Sequence, residues 1–264
     1  MKYSFNKQGN GQPVIMIHGF CENRTMWNDF VPLLANDHEV ITIDLPGFGE
    51  ARDQEVLHIR ENADHVIGLM DELNIEKAVI AGHSMGGYVG LSMLQHHSDR
   101  MFGLSLFNSH AASDSEEKSQ NRLKSIDFIR DHGTEDFFKL FVRDLLSAEN
   151  DHKVDWINDL LEMVSVTPQT SVIASMYRMM ERVDQVELAR ATDLPLQIMI
   201  GTRDKMYNAD VVLEQFATAR NIDIRLFPSG HLGIKEMPDE YHRAFREFIE
   251  YAVLYSERLS SASS

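Results

Sequence analysis

Val79-Ile80-Ala81-Gly82-His83-Ser84-Met85-Gly86-Gly87-Tyr88-Val89-Gly90-Leu91 is the stretch from which the fold is read. A short β-branched run ends at Ala81, and a helix-compatible run from Tyr88 to Gln95 begins just after it. Between them, Gly82-His83-Ser84-Met85-Gly86 fits G-x-S-x-G. Glycines flank the serine because a sharp strand-to-helix reversal leaves no room for side chains on either side. Such a turn holds the Ser84 hydroxyl proud of a sheet, at a helix N-terminus. Free backbone N–H groups and the helix dipole there favour developing negative charge. The competing reading is a glycine-rich β–α turn with an incidental serine, and the rest of the chain weighs against it.

Upstream, Val14-Ile15-Met16-Ile17 and Val40-Ile41-Thr42-Ile43 are continuous apolar runs of the kind shown by buried parallel strands. Met1 to Phe5 reads as a short edge strand. Trp27, Phe30, Val31 and Leu34 recur at helical spacing, as do Ile59, Ala63, Val66, Ile67, Met70 and Leu73. Met101 to Phe107 is a further strand. From Ser113 to about Ala191 only helical patterns occur, the first opened by a capping box at Ser113-Asp114-Ser115-Glu116. Strands then resume at Leu196–Ile200 and Ile222–Phe227 around a helix near Val211–Ala219. An amphipathic helix over Tyr241–Tyr255 precedes a polar, frayed Ser-rich tail. Alternating strands and helices predict an α/β fold, a mostly parallel doubly wound sheet. Residues 1–112 and 192–264 form its core, and 113–191 are an inserted helical cap over the sheet edge where α/β proteins bind ligands.

Every candidate polar group falls where a strand ends: His18-Gly19-Phe20, Asp44, Ser84, Gly201-Thr202-Arg203-Asp204 and Ser229-Gly230-His231. In a parallel sheet these ends share one edge, so a serine, an acid and a histidine distant in sequence can meet. Acyl transfer needs a base for the serine proton, and His231 is the candidate. It also needs a carboxylate to fix the tautomer of that base, and Asp204 is the candidate. An oxyanion hole needs two donors, supplied by the backbone N–H groups of Met85 and Phe20. Asp204 has a competing reading as a helix N-cap, with Asp210 as a weaker spare acid. Asp44, ahead of Pro46-Gly47, reads as a turn-capping residue. The histidines show no metal-ligand spacing, and no metal or other cofactor is expected.

The 264 residues suffice for one large domain and a sizeable core. With 41 acidic against 25 basic residues, the formal net charge is -16, which argues against nucleic acid and anionic membranes as partners. The N-terminal residues lack an apolar leader pattern, and no apolar run approaches the ~18 residues of a membrane span. Cys21 is the only cysteine, so a reducing, cytoplasmic setting is expected. The expected partner is a small acyl substrate, with monomer and dimer both open.

Taken together, His18-Gly19-Phe20, Asp44-Leu45-Pro46-Gly47-Phe48-Gly49, Gly82–Gly87, Gly201–Asp204 and Gly230-His231 resemble the α/β-hydrolase superfamily. The order Ser, Asp, His is that superfamily's order. The chain looks most like its capped esterase and lactonase branch. The resemblance implies cofactor-free hydrolysis of an ester, lactone or thioester through an acyl-enzyme on Ser84. Relatives that use the same triad for C–C bond hydrolysis or perhydrolysis, and slow-turnover receptors on the same fold, are the alternatives. Haloalkane dehalogenases and epoxide hydrolases carry Asp at the position of Ser84 and are disfavoured. One departure is that only one strand fits before Val14, where the family usually has two.

In the cap, Met163, Met176, Met179, Met180 and Tyr177 lie at helical spacing that serves either core packing or an apolar roof. Met176, Tyr177 and Met180 are taken as candidate substrate contacts, together with His18, Asn108 and His110 at the sheet edge. Asn108 and His110 equally suit a strand-end cap. His18 and His83 read as hydrogen-bonding supports for the site.

Overall fold

Apolar, β-branched runs build a seven-stranded sheet in the computed structural model, which describes residues 2–262. The strands are β1 (Ser4–Gln8), β2 (Gln12–Ile17), β3 (His38–Asp44), β4 (Ala78–His83), β5 (Met101–Phe107), β6 (Leu196–Gly201) and β7 (Ile222–Phe227). Their spatial order is β1-β3-β2-β4-β5-β6-β7. Only β1 runs antiparallel, against β3. Parallel neighbours need crossovers, and helices supply them: α1 (Val31–Leu34), α2 (Ile59–Glu72) and α3 (Met85–His97) come first. Between β5 and β6 the chain forms α4 (Glu116–His132), α5 (Thr134–Asp144), α6 (Val154–Ser165), α7 (Gln169–Met180) and α8 (Val186–Ala191). Then follow α9 (Ala209–Phe216), α10 (Gly233–Glu236) and α11 (Pro238–Ala262).

Strands β4 and β6 are buried along their whole length and are largely apolar, the buried Gln197 in β6 being hydrogen-bonded to Ser105. The edge strands β1 and β7 are partly solvated and more polar. α11 buries Tyr241, Phe245, Phe248, Ile249 and Ala252, one stripe at helical spacing, against the sheet. The Phe245 ring meets that of Phe107 edge-on at 5.1 Å.

Three expectations shift. The edge strand is Ser4–Gln8 rather than Met1–Phe5, because its register is set by pairing Ser4 with Asp44 and Gln8 with Val40. Met1 lies outside the described residues. The first helix after β5 is capped by Ser115, whose hydroxyl accepts the Lys118 N–H at 3.1 Å. Asp114 is drawn instead into ion pairs with Arg122 and Arg182. The last helix runs on to Ala262, well past Tyr255, and the final Ser263-Ser264 lie outside the described residues.

The turn from β4 to α3 is a tight junction. Ser84 sits at φ 48° and ψ -114°, a conformation that β-carbon sterics normally exclude. The residues two places to either side have room only for glycine. A β-carbon on Gly82 would lie 2.3 Å from the Gly86 carbonyl oxygen, and one on Gly86 would lie 2.3 Å from that of Ile17. Gly86→Ala therefore pushes α3 off β2, and we expect it to lower unfolding free energy by at least about 2 kcal/mol, read by denaturant titration.

Candidate active site

The strand ends bring the predicted triad to one place. Ser84 follows β4, Asp204 follows β6, and His231 follows β7. His231 Nδ1 lies 2.7 Å from Asp204 Oδ2, and both side chains are withdrawn from solvent. With Asp204 accepting there, Nδ1 carries the proton and Nε2 keeps its lone pair. Burial pushes the Asp204 carboxyl up, but His231 and the donors Asn108 and the Met206 N–H outweigh it and hold the pKa below the ordinary carboxylate value. Asp204 Oδ1 also accepts the Met206 and Tyr207 N–H groups, at 2.7 and 3.1 Å. The N-cap of α9 is Asn208, so Asp204 is free of that competing duty.

Ser84 and His231 line one narrow cavity of about 30 Å³, together with Phe20, Glu22, Lys118, Arg122 and Met179. The Ser84 hydroxyl rests 3.4 Å from the hydroxyl of Tyr207, which in turn lies 2.7 Å from that of Tyr88. Among the described residues no hydrogen bond joins Ser84 to His231. Met85 opens α3, so its N–H is among those with no intrahelical acceptor. The Gly19 N–H is consumed by Glu22 Oε2 at 2.7 Å, which leaves Phe20 as the next donor along that loop. Cys21 follows, fully buried at φ 60°, with its thiol pKa pushed well up by burial.

A second acid–histidine pair adjoins the first, with the His83 and His231 rings 4.9 Å apart. Glu22 Oε2 is 2.8 Å from His83 Nδ1, and His83 Nε2 is 3.0 Å from the carbonyl oxygen of His231. Both ring nitrogens thus face acceptors, which suits an imidazolium. Burial alone would lower the His83 pKa, yet the adjacent Glu22 carboxylate raises it overall. Burial raises that of Glu22, and His83 brings it below its ordinary value. One ion pair therefore ties the Gly19–Phe20 loop, the end of β4 and the backbone of His231.

Most of the proposed substrate contacts are placed elsewhere. His18 is fully buried, with Nε2 accepting the Leu45 N–H at 3.0 Å and Nδ1 2.8 Å from the Gly19 carbonyl, so it supports the loop. Asn108, at φ 45°, donates to Asp204 Oδ2 and to the Gly230 carbonyl, which orients the acid. His110 packs edge-on to Tyr207 with Nε2 3.2 Å from the Tyr88 hydroxyl. Burial, Arg182 and Lys118 press its pKa down to about 3. Tyr177 accepts a bond from Arg130 on α4, and Met180 is absent from the cavity wall, where Met179 stands. Met176 lines an outer groove of about 490 Å³ that shares Phe20, Lys118, Arg122, Phe141 and Met206 with the inner cavity. Asp44 accepts from the Arg24 and Glu50 N–H groups and pairs with the Arg24 guanidinium, a turn-capping arrangement.

Tyr207 and Glu22 were not singled out from sequence. Tyr207 stands three residues after Asp204 in the same loop, which is the one signal that pointed to it. Among the described residues, no cluster of three or more His, Cys, Asp or Glu side chains is set to hold a metal ion. No described helix is long and apolar enough to cross a membrane.

Comparison with known proteins gives the family. Residues 12–238 match the family model described as alpha/beta hydrolase fold. A solved esterase from Thermogutta terrifontis in a malate-bound form superposes with a TM-score of 0.87 at 28% identity, covering 95% of this chain and 93% of that one. The 3-oxoadipate enol-lactonase 1 of Acinetobacter baylyi is 22% identical over 95% of this chain and 93% of its own. The 2-hydroxymuconate semialdehyde hydrolase of a Pseudomonas strain is 33% identical over 118 residues, 43% of this chain. The matched stretch spans only 27%, 34% and 42% of three curated relatives matched at 33–40% identity.

The Glu22–His83 pair has a pH signature. His83, with its pKa raised, contributes fully below its unfolded value near 6.5, and the contribution fades as pH rises through the folded value. Glu22, with its pKa lowered, contributes fully above 4.5 and loses this as pH falls through its folded value. Glu22→Gln should therefore cost about 1–3 kcal/mol in unfolding free energy. The gap from wild type should be widest between about pH 4.5 and 6.5 and should narrow at higher pH.

Proposed function

Because this chain belongs to the α/β-hydrolase fold family, we propose that it is a serine hydrolase cleaving a small ester, lactone or thioester through an acyl-enzyme on Ser84. The observation that carries the reading is the 2.7 Å contact between Asp204 and His231 in a cavity shared with a serine held on a strained turn.

The chemistry follows from that arrangement. Ser84 exchanges Tyr207 for His231 Nε2, which takes the hydroxyl proton as Oγ attacks the carbonyl carbon. Asp204 holds the imidazole in the required tautomer and balances the imidazolium that forms. The oxyanion of the tetrahedral intermediate is met by the N–H groups of Phe20 and Met85. His231 returns its proton to the leaving oxygen or sulfur. Water, activated by the same imidazole, then releases the acid from Ser84. The helical segment between β5 and β6 acts as the cap, and Met176, Met179 and Phe141 supply an apolar wall for the acyl or leaving group. No cofactor takes part in this reading. A cytoplasmic location belongs to it too, supported by the single, buried cysteine.

C–C bond hydrolysis by the same triad is the second reading, favoured by the 33% identity with 2-hydroxymuconate semialdehyde hydrolase over 118 residues. Here the leaving group is a carbon that needs a proton, which His231 would deliver.

Short and medium p-nitrophenyl esters test the first reading. Ser84→Ala should lower kcat at least about 10⁴-fold without loss of fold, checked by circular dichroism and release of p-nitrophenol. Activity retained in that variant would move the nucleophile elsewhere. Asp204→Asn should cost about 10³- to 10⁴-fold. Asp210→Asn, on the exposed start of α9, should stay within about twofold of wild type. The reverse order would reassign the acid.

A further inference from the structure

The cavity that holds Ser84 carries a charge that the rest of the chain does not explain. The protein has a formal net charge of -16, yet the groove leading to Ser84 is lined by Lys118, Arg122, Lys124 and Lys205 against a single carboxylate, Asp144. Lys205 is neutralised at 2.6 Å by Asp151. Arg122 and Arg182 share one buried carboxylate, that of Asp114, at 2.6 and 2.7 Å. Lys118 has no carboxylate partner among the described residues. Three cations around one acid leave an excess of two positive charges beside the cavity; Lys118 and Arg122 stand on its wall, where the Glu22 carboxylate is already engaged by His83.

Lys118 is the member of this set placed to use that excess. It lines both the inner cavity with Ser84 and His231 and the outer groove. Its ammonium lies 5.4 Å from the centre of the Tyr207 ring, whose hydroxyl is 3.4 Å from the Ser84 hydroxyl. A ring face compensates an ammonium far less than a carboxylate does. Leaving a half-buried ammonium without a counter-ion beside two guanidinium groups costs stability, and burial and Arg122 accordingly pull its pKa down. An anion arriving in the cavity removes that cost.

We infer that the substrate carries a carboxylate, or an equivalent anionic group, that pairs with the Lys118 ammonium at the inner end of the groove while its scissile carbonyl sits at Ser84. The inference rests on the serine-hydrolase reading and narrows it to acidic esters, lactones or thioesters. The groove supplies the complementary apolar surface through Phe20, Phe137, Phe141 and Met176, so the preferred molecule is an amphiphilic acid rather than a small polar one.

Two ester pairs test it, one with the charge on the acyl side (monomethyl adipate against methyl hexanoate) and one with it on the leaving group (4-acetoxybenzoate against phenyl acetate). Each kcat/KM is measured for wild type, Lys118→Met and Lys118→Arg. Comparing each variant with wild type on the same ester cancels intrinsic reactivity. In at least one pair, Lys118→Met should lose about tenfold to hundredfold more on the anionic ester than on the neutral one. Lys118→Arg should restore most of that difference, which separates charge from packing. Equal losses on charged and neutral esters in both pairs would overturn the inference and leave the serine-hydrolase reading intact. Calorimetric titration of adipate and 4-hydroxybenzoate reads the same site without turnover. Binding of either acid by wild type that weakens at least tenfold in Lys118→Met supports the anion site even if none of the esters is cleaved. Neither acid binding, with no Lys118-dependent preference in turnover, overturns it.

Discussion

Ser84 can stand where it does only because nothing else is there. Its backbone occupies a region closed to most side-chain-bearing residues, and α3 approaches β2 so closely that a single methyl group at Gly86 would collide with the carbonyl of Ile17. That close approach sets the origin of the whole site. It fixes where the N-terminus of α3 points, and with it the Met85 N–H. It also fixes the end of β4, on which His83 sits. Strain at one residue is tolerable because a fully buried strand and a buried helix determine it from both sides.

The residues that meet around this point are held by two parallel acid–histidine pairs with different tasks. His231 lines the cavity and Asp204 holds it; Asn108 donates to the acid and is itself fixed by the Tyr241 hydroxyl and the Gly230 carbonyl. Glu22, on the cavity wall, and His83 connect three separate segments through one charged bridge. Buried pairs of this kind contribute little net stability, since desolvation offsets most of the attraction, but removing one partner is costly. Their value is geometric: the loop bearing Phe20 and the backbone of His231 cannot drift apart without leaving an ion unpaired.

Much of this was legible before any coordinates. Ser84, Asp204 and His231 each follow a strand, and a parallel sheet gathers strand ends on one edge, so their convergence follows from pattern and order. What escaped depends on rotation and on tertiary partners. Helical spacing put both Met179 and Met180 on offer, but neighbouring residues on a helix differ by about 100° in direction, and only packing decides which faces the cavity. Asn108 was visible as a polar strand end, while its partner Asp204 lay 96 residues away. Glu22 carries no local signal because its role comes from His83, on the neighbouring strand β4. The local pattern offered a capping box over Ser113–Glu116, whereas Ser115 caps the helix and Asp114 is held by two arginines through tertiary structure.

Cys21 gives the molecule a built-in gauge. It is the only thiol in the chain, it is fully buried, and it directly follows Phe20, which lines the cavity beside Ser84. Its burial keeps the sulfur protonated and out of reach of reagents. A thiol reagent therefore gains access only in the fraction of time that this loop is open. The rate of its modification, followed with and without a bound acid, becomes a clock for local opening that requires no added label and no engineered residue.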